Sequence, residues 1–141
     1  MPHESTKKLL DRLLAKGEKA LQQIINEECW TTEEFEAITG HDEKTLFLMA
    51  EEGVFFYAEH DGIPYWPKFQ IVGDQKTTPD GFNVVMALLR ERGHKQWGIY
   101  TFWTTSSVRW NDPTTPFDLL RQDRLQDALW DARTYWEHGA K

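Results

Sequence analysis

The chain has 141 residues, of which 40% are hydrophobic and 13% aromatic, and its formal net charge is −7. This is the composition of a globular protein, and no apolar run approaches the ~20 residues that cross a bilayer. The N-terminal segment lacks the apolar region of a secretion signal, and one cysteine excludes an internal disulfide. We therefore expect a cytoplasmic protein with no membrane partner.

The acidic excess lies entirely in the first half of the chain. Residues 1–73 contain seven basic and fourteen acidic side chains, whereas residues 74–141 contain nine of each. Because Lys and Arg supply most of the affinity for nucleic acid, this distribution bears on any DNA-binding role of the first half.

The first predicted element is an amphipathic helix over residues 4–27. Its apolar side chains recur at spacings of three, four and seven, which is the pattern of one helix face. Such a face is typical of a helix that packs on the core of its own chain, and also of a helix that joins two copies of the chain. We expect a homodimer. The apolar positions are Leu9, Leu10, Leu13, Leu14, Leu21, Ile24 and Ile25.

Two short helices are predicted next. Thr31 and Glu34 have the spacing of a capping box at the start of the first helix, and Gly40 suits its end. Asp42 is suited to cap the second helix, which Gly53 ends.

A β-hairpin is predicted after these helices. Residues 54–57 and 63–66 are the two strands, and Asp61-Gly62 is a strong signal for the turn between them. Two helices followed by a hairpin make a winged helix-turn-helix. This order, with the Thr-Thr-Glu-Glu start at residues 31–34 and Glu51-Glu52-Gly53 before the wing, resembles the MerR/excisionase type of DNA-binding domain.

The charges of this segment oppose DNA binding. Between Glu27 and Asp61 there is one basic residue, Lys44, against eleven acidic ones. Such a surface should repel phosphates, and the second helix has no Arg or Asn suited to bidentate base contacts. If DNA is bound at all, the candidate contacts are Lys44, Thr45 and Lys68.

A polar linker over residues 73–79 leads to a third unit that is predicted to be helical. One helix carries residues 84–89 and ends at Gly93, and a second carries an aromatic row. After a polar loop, Thr115 should cap a short helix that has Pro116 at its first position. A closing helix begins at Asp123 and ends near Gly139; its apolar positions are Leu125, Ala128, Leu129, Ala132 and Trp136.

Two groups of aromatic residues in this unit call for different interpretations. Trp97, Tyr100 and Trp103 lie at helical spacing, which favours the core over a binding surface. Trp110 stands in the polar loop between Arg109 and Asn111, where no periodic burial explains it. An aromatic side chain beside an Arg is typical of a binding loop, so we favour an interface for Trp110.

The segment from Trp103 to Leu120 resembles the C-terminal toxin-binding domain of Xre/MbcA/ParS-type antitoxins. An aromatic helix and an Asn-to-Pro-x-Asp-Leu-Leu element recur in that family, and here the element runs from Trp110-Asn111 to Leu119-Leu120. The resemblance implies an antitoxin that covers the site of a partner toxin, with the NAD-degrading RES type as the implied toxin class. The implied toxin-binding residues are Trp103, Arg109, Trp110, Asn111, Asp112 and Phe117.

No enzyme motif is found. The sequence has no Gly-rich phosphate loop, no His-Glu-x-x-His and no cysteine pair for zinc. Cys29 beside Trp30 is better explained as a small buried apolar residue than as a nucleophile. We therefore expect no catalytic site, no metal and no cofactor.

Together these observations predict a mainly α protein: a winged helix-turn-helix with a small two-stranded β-hairpin, followed by a C-terminal helical bundle. Residues 1–28 would be an amphipathic N-terminal helix, residues 29–73 the winged-helix-like domain, and residues 74–141 the toxin-binding-like domain. The function favoured is that of an antitoxin, with possible regulation of its own promoter. The alternatives are an excisionase/MerR-like transcriptional regulator and a homodimeric scaffold joined through the first helix.

Overall fold

A computed structural model describes residues 2–74, 76–106 and 114–135, and the side chains of these residues except 2–11, 13 and 14. The predicted fold class is confirmed, because the chain is mainly helical with a small antiparallel sheet. None of the helices in these ranges is long and apolar enough to cross a membrane. The elements in chain order are α1 (Pro2–Glu28), β1 (Cys29–Thr31), α2 (Thr32–Thr39), α3 (Glu43–Glu51), β2 (Ala58–His60), β3 (Ile63–Pro67), a 3-10 turn (Lys68–Gln70), α4 (Phe82–Glu91), α5 (Gln96–Thr104), α6 (Pro116–Arg121) and α7 (Leu125–Thr134).

Helix α1 is joined to the rest of the chain through its C-terminal part. Ile25 is buried, and Leu21 and Ile24 are half-buried, whereas residues 15–20 are exposed. Glu18 adds a polar contact with the hairpin, since its Oε1 lies 2.7 Å from Nε2 of His60. The last two turns therefore pack on the chain's own core.

The predicted caps of α2 and α3 are present. Thr31 Oγ1 accepts a hydrogen bond from the Glu34 amide at 3.2 Å, and the Glu34 carboxylate accepts one from the Thr31 amide at 2.9 Å. Gly40 ends α2 with φ of 79°, a conformation that favours glycine. Asp42 caps α3 by accepting a hydrogen bond from the Thr45 amide. Hydrogen bonding from the Thr45 side chain, and next from this amide, lowers the pKa of the Asp42 carboxyl.

The sheet contains a hairpin at the predicted turn and one additional strand. The second hairpin strand, Ile63–Pro67, lies where it was expected, but the first is Ala58–His60. The predicted strand at residues 54–57 is wrong, because the Phe55 and Phe56 amides bond to the Met49 carbonyl and to Gln70 and do not pair with β3. Strands β2 and β3 pair antiparallel around Asp61 and Gly62, which both have the positive φ of a tight hairpin turn. Strand β1 pairs with the other edge of β3, so the order is β1-β3-β2, with Trp30 opposite Trp66. Strand β1 was not predicted from the sequence, because three residues, one of them half-buried, are too few to show the alternation of apolar and polar side chains that is typical of a strand.

Two hydrophobic cores meet at residues 55 and 56. Phe55 packs in a core formed by α2, α3 and β3, while Phe56 packs in a core formed mainly by α4–α7. In the first core Phe35 stacks on Trp66, with ring centroids 4.8 Å apart. The side chain of Gln70, which has no exposed surface, bonds to both backbone groups of Phe56 at 2.8 Å and to the Pro67 carbonyl at 3.0 Å.

The C-terminal helices agree with the predicted pattern. Thr115 and Asp118 form a capping box at α6, with Pro116 in its first turn. Trp103 is fully buried, which confirms the core interpretation for this residue, and Trp97 and Tyr100 pack half-buried against the same core. The closing helix is α7, but it ends at Thr134, where the predicted helix continued to near Gly139, because the backbone of Tyr135 is extended. Trp136, which was predicted to lie in this helix, is outside the described residues.

Replacement of Gln70 should destabilise the chain strongly. Gln70→Met keeps the volume of the side chain but leaves the Phe56 amide, the Phe56 carbonyl and the Pro67 carbonyl buried without this partner. We expect the free energy of unfolding in urea to fall by about 3 kcal/mol or more, since three buried groups lose this partner and each unsatisfied group costs roughly 1–3 kcal/mol. Gln126→Met, at an exposed position of α7, is the control. A loss equal to that of the control would contradict the role assigned to Gln70.

Candidate functional site

The exposed face of α3 carries both charged and apolar side chains. Glu43, Lys44, Leu48 and Glu51 are exposed, and Leu48, at 49%, is among the most exposed large apolar side chains described. Thr45 is half-buried beside its cap. Of the three predicted DNA contacts, Lys44 and Thr45 therefore lie in the first turn of α3.

The third predicted DNA contact, Lys68, lies on a different element. It is exposed in the 3-10 turn after β3, and its Nζ lies 6.0 Å from the ring centroid of Trp30 on β1. This distance permits a weak cation–π interaction with the edge of the sheet.

The hairpin is bonded to the C-terminal helices along its outer strand. The Glu59 amide donates to Gln96 Oε1 at 2.8 Å, and the Glu59 carbonyl accepts from Trp97 Nε1 at 2.9 Å. Two side chains of α5 thus satisfy the free edge of β2, which would otherwise offer unpaired backbone groups.

Helix α3 is also attached to α4. The Arg90 guanidinium donates to the Ala50 carbonyl at 2.9 Å and to the Glu51 carbonyl at 3.3 Å. These carbonyls lie at the C-terminal end of α3, where a cation is favoured by the helix dipole. Together with the bonds from α5 to Glu59, this contact fixes the position of α3 and the wing relative to the C-terminal helices.

A cleft of about 620 Å³ opens between α3 on one side and α4 and α5 on the other. It contains apolar and charged groups from both halves of the chain. The residues that line it include Lys44, Leu48, Glu51, Phe56, Met86, Arg90 and Ile99. This cleft could not be predicted from the sequence, because the segments that form it are about 40 residues apart and none carries a recognisable motif.

A second pocket, of about 350 Å³, lies where α5 ends and α6 begins. Two of the predicted toxin-binding residues, Trp103 and Phe117, line it, with their ring centroids 6.1 Å apart. Thr104, Thr115 and Arg121 contribute polar groups to the same pocket.

The burial of Trp103 and Phe117 changes the role that we assign to them. Trp103 stacks on Phe82 at 4.7 Å and its Nε1 lies 3.3 Å from the Met86 sulfur, and Phe117 is only 6% exposed. Side chains packed in this way hold α5 and α6 together and offer little surface to a partner. The predicted contacts Arg109, Trp110, Asn111 and Asp112 lie outside the described residues; the described chain stops at Ser106 and resumes at Thr114.

The described side chains include no group of three or more His, Cys, Asp or Glu that could hold a metal ion. Cys29 is buried, and the pKa of its thiol is raised from 9.0 to about 11, chiefly by burial, with a smaller rise from the Glu28 carboxylate and an opposing effect of Lys68. A thiol in this state is a poor nucleophile at neutral pH. Because the folded pKa is raised, the thiol contributes stability that is fully present below about pH 9 and is lost as the pH rises through 11.

Native Cys29 should therefore react slowly with iodoacetamide. At about pH 8 the raised pKa reduces the thiolate fraction by roughly 100-fold, and burial slows access further. We expect the alkylation rate, followed by mass spectrometry, to rise at least about 100-fold when the chain is unfolded in concentrated urea. Since the chain has one cysteine, all labelling reports on this site. Native and unfolded rates within threefold of each other would contradict the assignment.

Comparisons with known proteins identify the fold and leave the family open. No protein-family model matches the sequence, and comparison with curated proteins gives no match. Among solved structures, the NMR structure of Rv2175c is similar, with a TM-score of 0.62 over 76% of this chain and 80% of that chain. The two sequences are 13% identical, so the similarity shows a shared fold alone.

Proposed function

We propose that this chain is an antitoxin-like protein that binds a partner toxin through its C-terminal helices and neutralises it by covering its site. The observation that carries the proposal is the pairing of Trp103 on α5 with Phe117 on α6, with ring centroids 6.1 Å apart, on either side of the segment that the sequence predicts to be the binding loop. A binding loop works best on a rigid scaffold, and this pairing supplies one at both of its ends.

Two further features support a rigid base for the loop. Thr104 Oγ1 donates to the Tyr100 carbonyl at 2.8 Å in the last turn of α5, and the Thr115–Asp118 capping box fixes the first turn of α6. Phe117 also packs against Phe69, with ring centroids 5.0 Å apart, which connects this region to the end of the wing. In the proposal Trp103 and Phe117 position the loop, while Arg109, Trp110, Asn111 and Asp112 make the contacts.

The partner class follows from the antitoxin resemblance, and we propose a RES-type toxin. Neutralisation would be steric, with the loop and the adjoining helix surface closing the toxin's NAD-binding site. The chain itself needs no catalytic group for this role.

The proposed assembly contains two copies of the chain. Light scattering of the purified full chain should therefore give the mass of a dimer.

The decisive experiment is recovery of a toxin followed by a test of the loop. A small protein that co-purifies from the native host at high salt should arrest growth when expressed alone, and this chain should relieve the arrest. Arg109→Ala with Trp110→Ala should weaken the complex at least about 30-fold by calorimetry, because Trp and Arg dominate interface energies. The control replaces Trp130 and Arg133, exposed residues of α7, with Ala and should leave the affinity unchanged.

Two results would count against the proposal. Failure to recover any growth-arresting partner would remove its basis. Equal affinity for the loop variant and the α7 control would show that the complex forms elsewhere on the chain.

The second candidate is a DNA-binding regulator, and the order of α2, α3 and the β2–β3 hairpin favours it. Lys44, which is exposed, and Thr45, which is half-buried, lie in the first turn of α3, from which major-groove contacts are made in helix-turn-helix proteins. The acidic side chains of the same helix and of the wing oppose this function.

DNA binding is tested by fluorescence anisotropy with the DNA upstream of the coding sequence. We expect no saturable binding even at low salt, because phosphates would meet the acidic surface of α2, α3 and the wing. Tight binding to the wild-type chain, with a log–log salt slope that falls by about one unit in Lys44→Ala, would instead establish DNA binding through α3. Glu43→Ala is the control, since loss of an acidic side chain at the neighbouring position should not weaken such a complex.

A further inference from the structure

The cleft between α3 and the α4–α5 pair has the size and position of a small-molecule site. Its volume, about 620 Å³, lies within the roughly 300–1,000 Å³ of typical ligand pockets, and such pockets favour the junction of two folding units. Here the junction is the point where the two cores meet, since Phe56 of the α4–α7 core and Ala50 of the other core both line the cleft.

The interior of the cleft is apolar. Phe56, Met86 and Ile99 form part of its lining and are at most 3% exposed, while Leu48 at its α3 side is 49% exposed. Phe47 and Tyr57 add half-buried aromatic surface. An alkyl or aryl group placed here would cover Leu48 and remove apolar surface from water, which is favourable by about 25 cal/mol per Å².

The charged groups of the cleft favour an anion. Lys44 on α3 and Arg90 on α4 contribute two positive charges, against one carboxylate from Glu51. The two acceptors bonded to Arg90 are backbone carbonyls, so neither neutralises the guanidinium. The cleft therefore has an excess of positive charge, whereas α2 and the wing carry mainly acidic side chains.

We propose that this cleft binds a small amphipathic carboxylate, with the alkyl or aryl group over Leu48 and Met86 and the carboxylate between Lys44 and Arg90. Guanidinium and ammonium groups are the donors that carboxylates prefer, and Arg90 is already oriented by its bonds to the end of α3. Since the site joins α3 to α4, a bound acid would also stabilise the packing of the two halves of the chain.

The test uses octanoate and its neutral counterpart octan-1-ol with the full chain. Titration followed by two-dimensional amide NMR should place the octanoate-dependent shifts on α3, α4 and the start of α5. Octanoate should bind about fivefold or more tightly than octan-1-ol, because two partly exposed cations each contribute a few-fold. Equal affinity for the acid and the alcohol, or binding of neither, would overturn the proposal.

Matched variants locate the site. Leu48→Asp removes an apolar wall and adds a repelling charge, so octanoate affinity should fall at least about tenfold. Val84→Asp makes the same change at a comparably exposed position of α4 that does not line the cleft, 46% against 49%, and should bind octanoate normally. Lys44→Gln should weaken binding about threefold, whereas Lys19→Gln on α1 should not. Equal behaviour of the two Asp variants, each confirmed as folded by circular dichroism, would place the acid elsewhere.

Discussion

The peptide between Phe55 and Phe56 is the point on which both cores depend. The two neighbouring phenyl rings enter different cores: Phe55 packs in the core of α2 and α3, and Phe56 packs in the core of α4–α7. Burial of this backbone requires partners for its polar groups, and Gln70 supplies them to the Phe56 amide and carbonyl. The side-chain amide of Gln70 thereby holds Phe56 in position between the two cores.

The two halves of the chain are interlocked by side chains that bond to backbone. Gln96 and Trp97 satisfy the edge of β2 at Glu59, and Arg90 holds the end of α3. These contacts cross the boundary predicted near residue 73, as does the packing of Phe69 on Phe117. The wing and α3 are therefore held to the C-terminal helices by hydrogen bonds and by aromatic packing.

The elements that could be predicted from the sequence are those fixed by neighbours in the chain. Capping boxes at Thr31 and Thr115 and the Asp61-Gly62 turn depend on residues within a few positions, and each is present. Gln70 and Arg90 could not be recognised, because their partners lie 14 and about 40 residues away and a lone Gln or Arg carries no motif. Burial of Trp103 followed from helical spacing, but its assignment as a toxin contact came from the resemblance and conflicts with that burial.

The outer face of α3 bears on both DNA binding and ligand binding. In a helix-turn-helix that reads DNA, the outer face of the second helix must be open to the major groove and carry groups that pair with bases. Here Lys44, Leu48 and Glu51 on that face line a cleft whose opposite wall is α4 and α5. An apolar residue and a carboxylate next to that wall would be poorly matched to a phosphate-lined groove, whereas they suit a small ligand or a protein surface. The face of α3 that argues against DNA binding is therefore the surface that we assign to a small ligand, and in our proposal the partner protein binds the segment between α5 and α6.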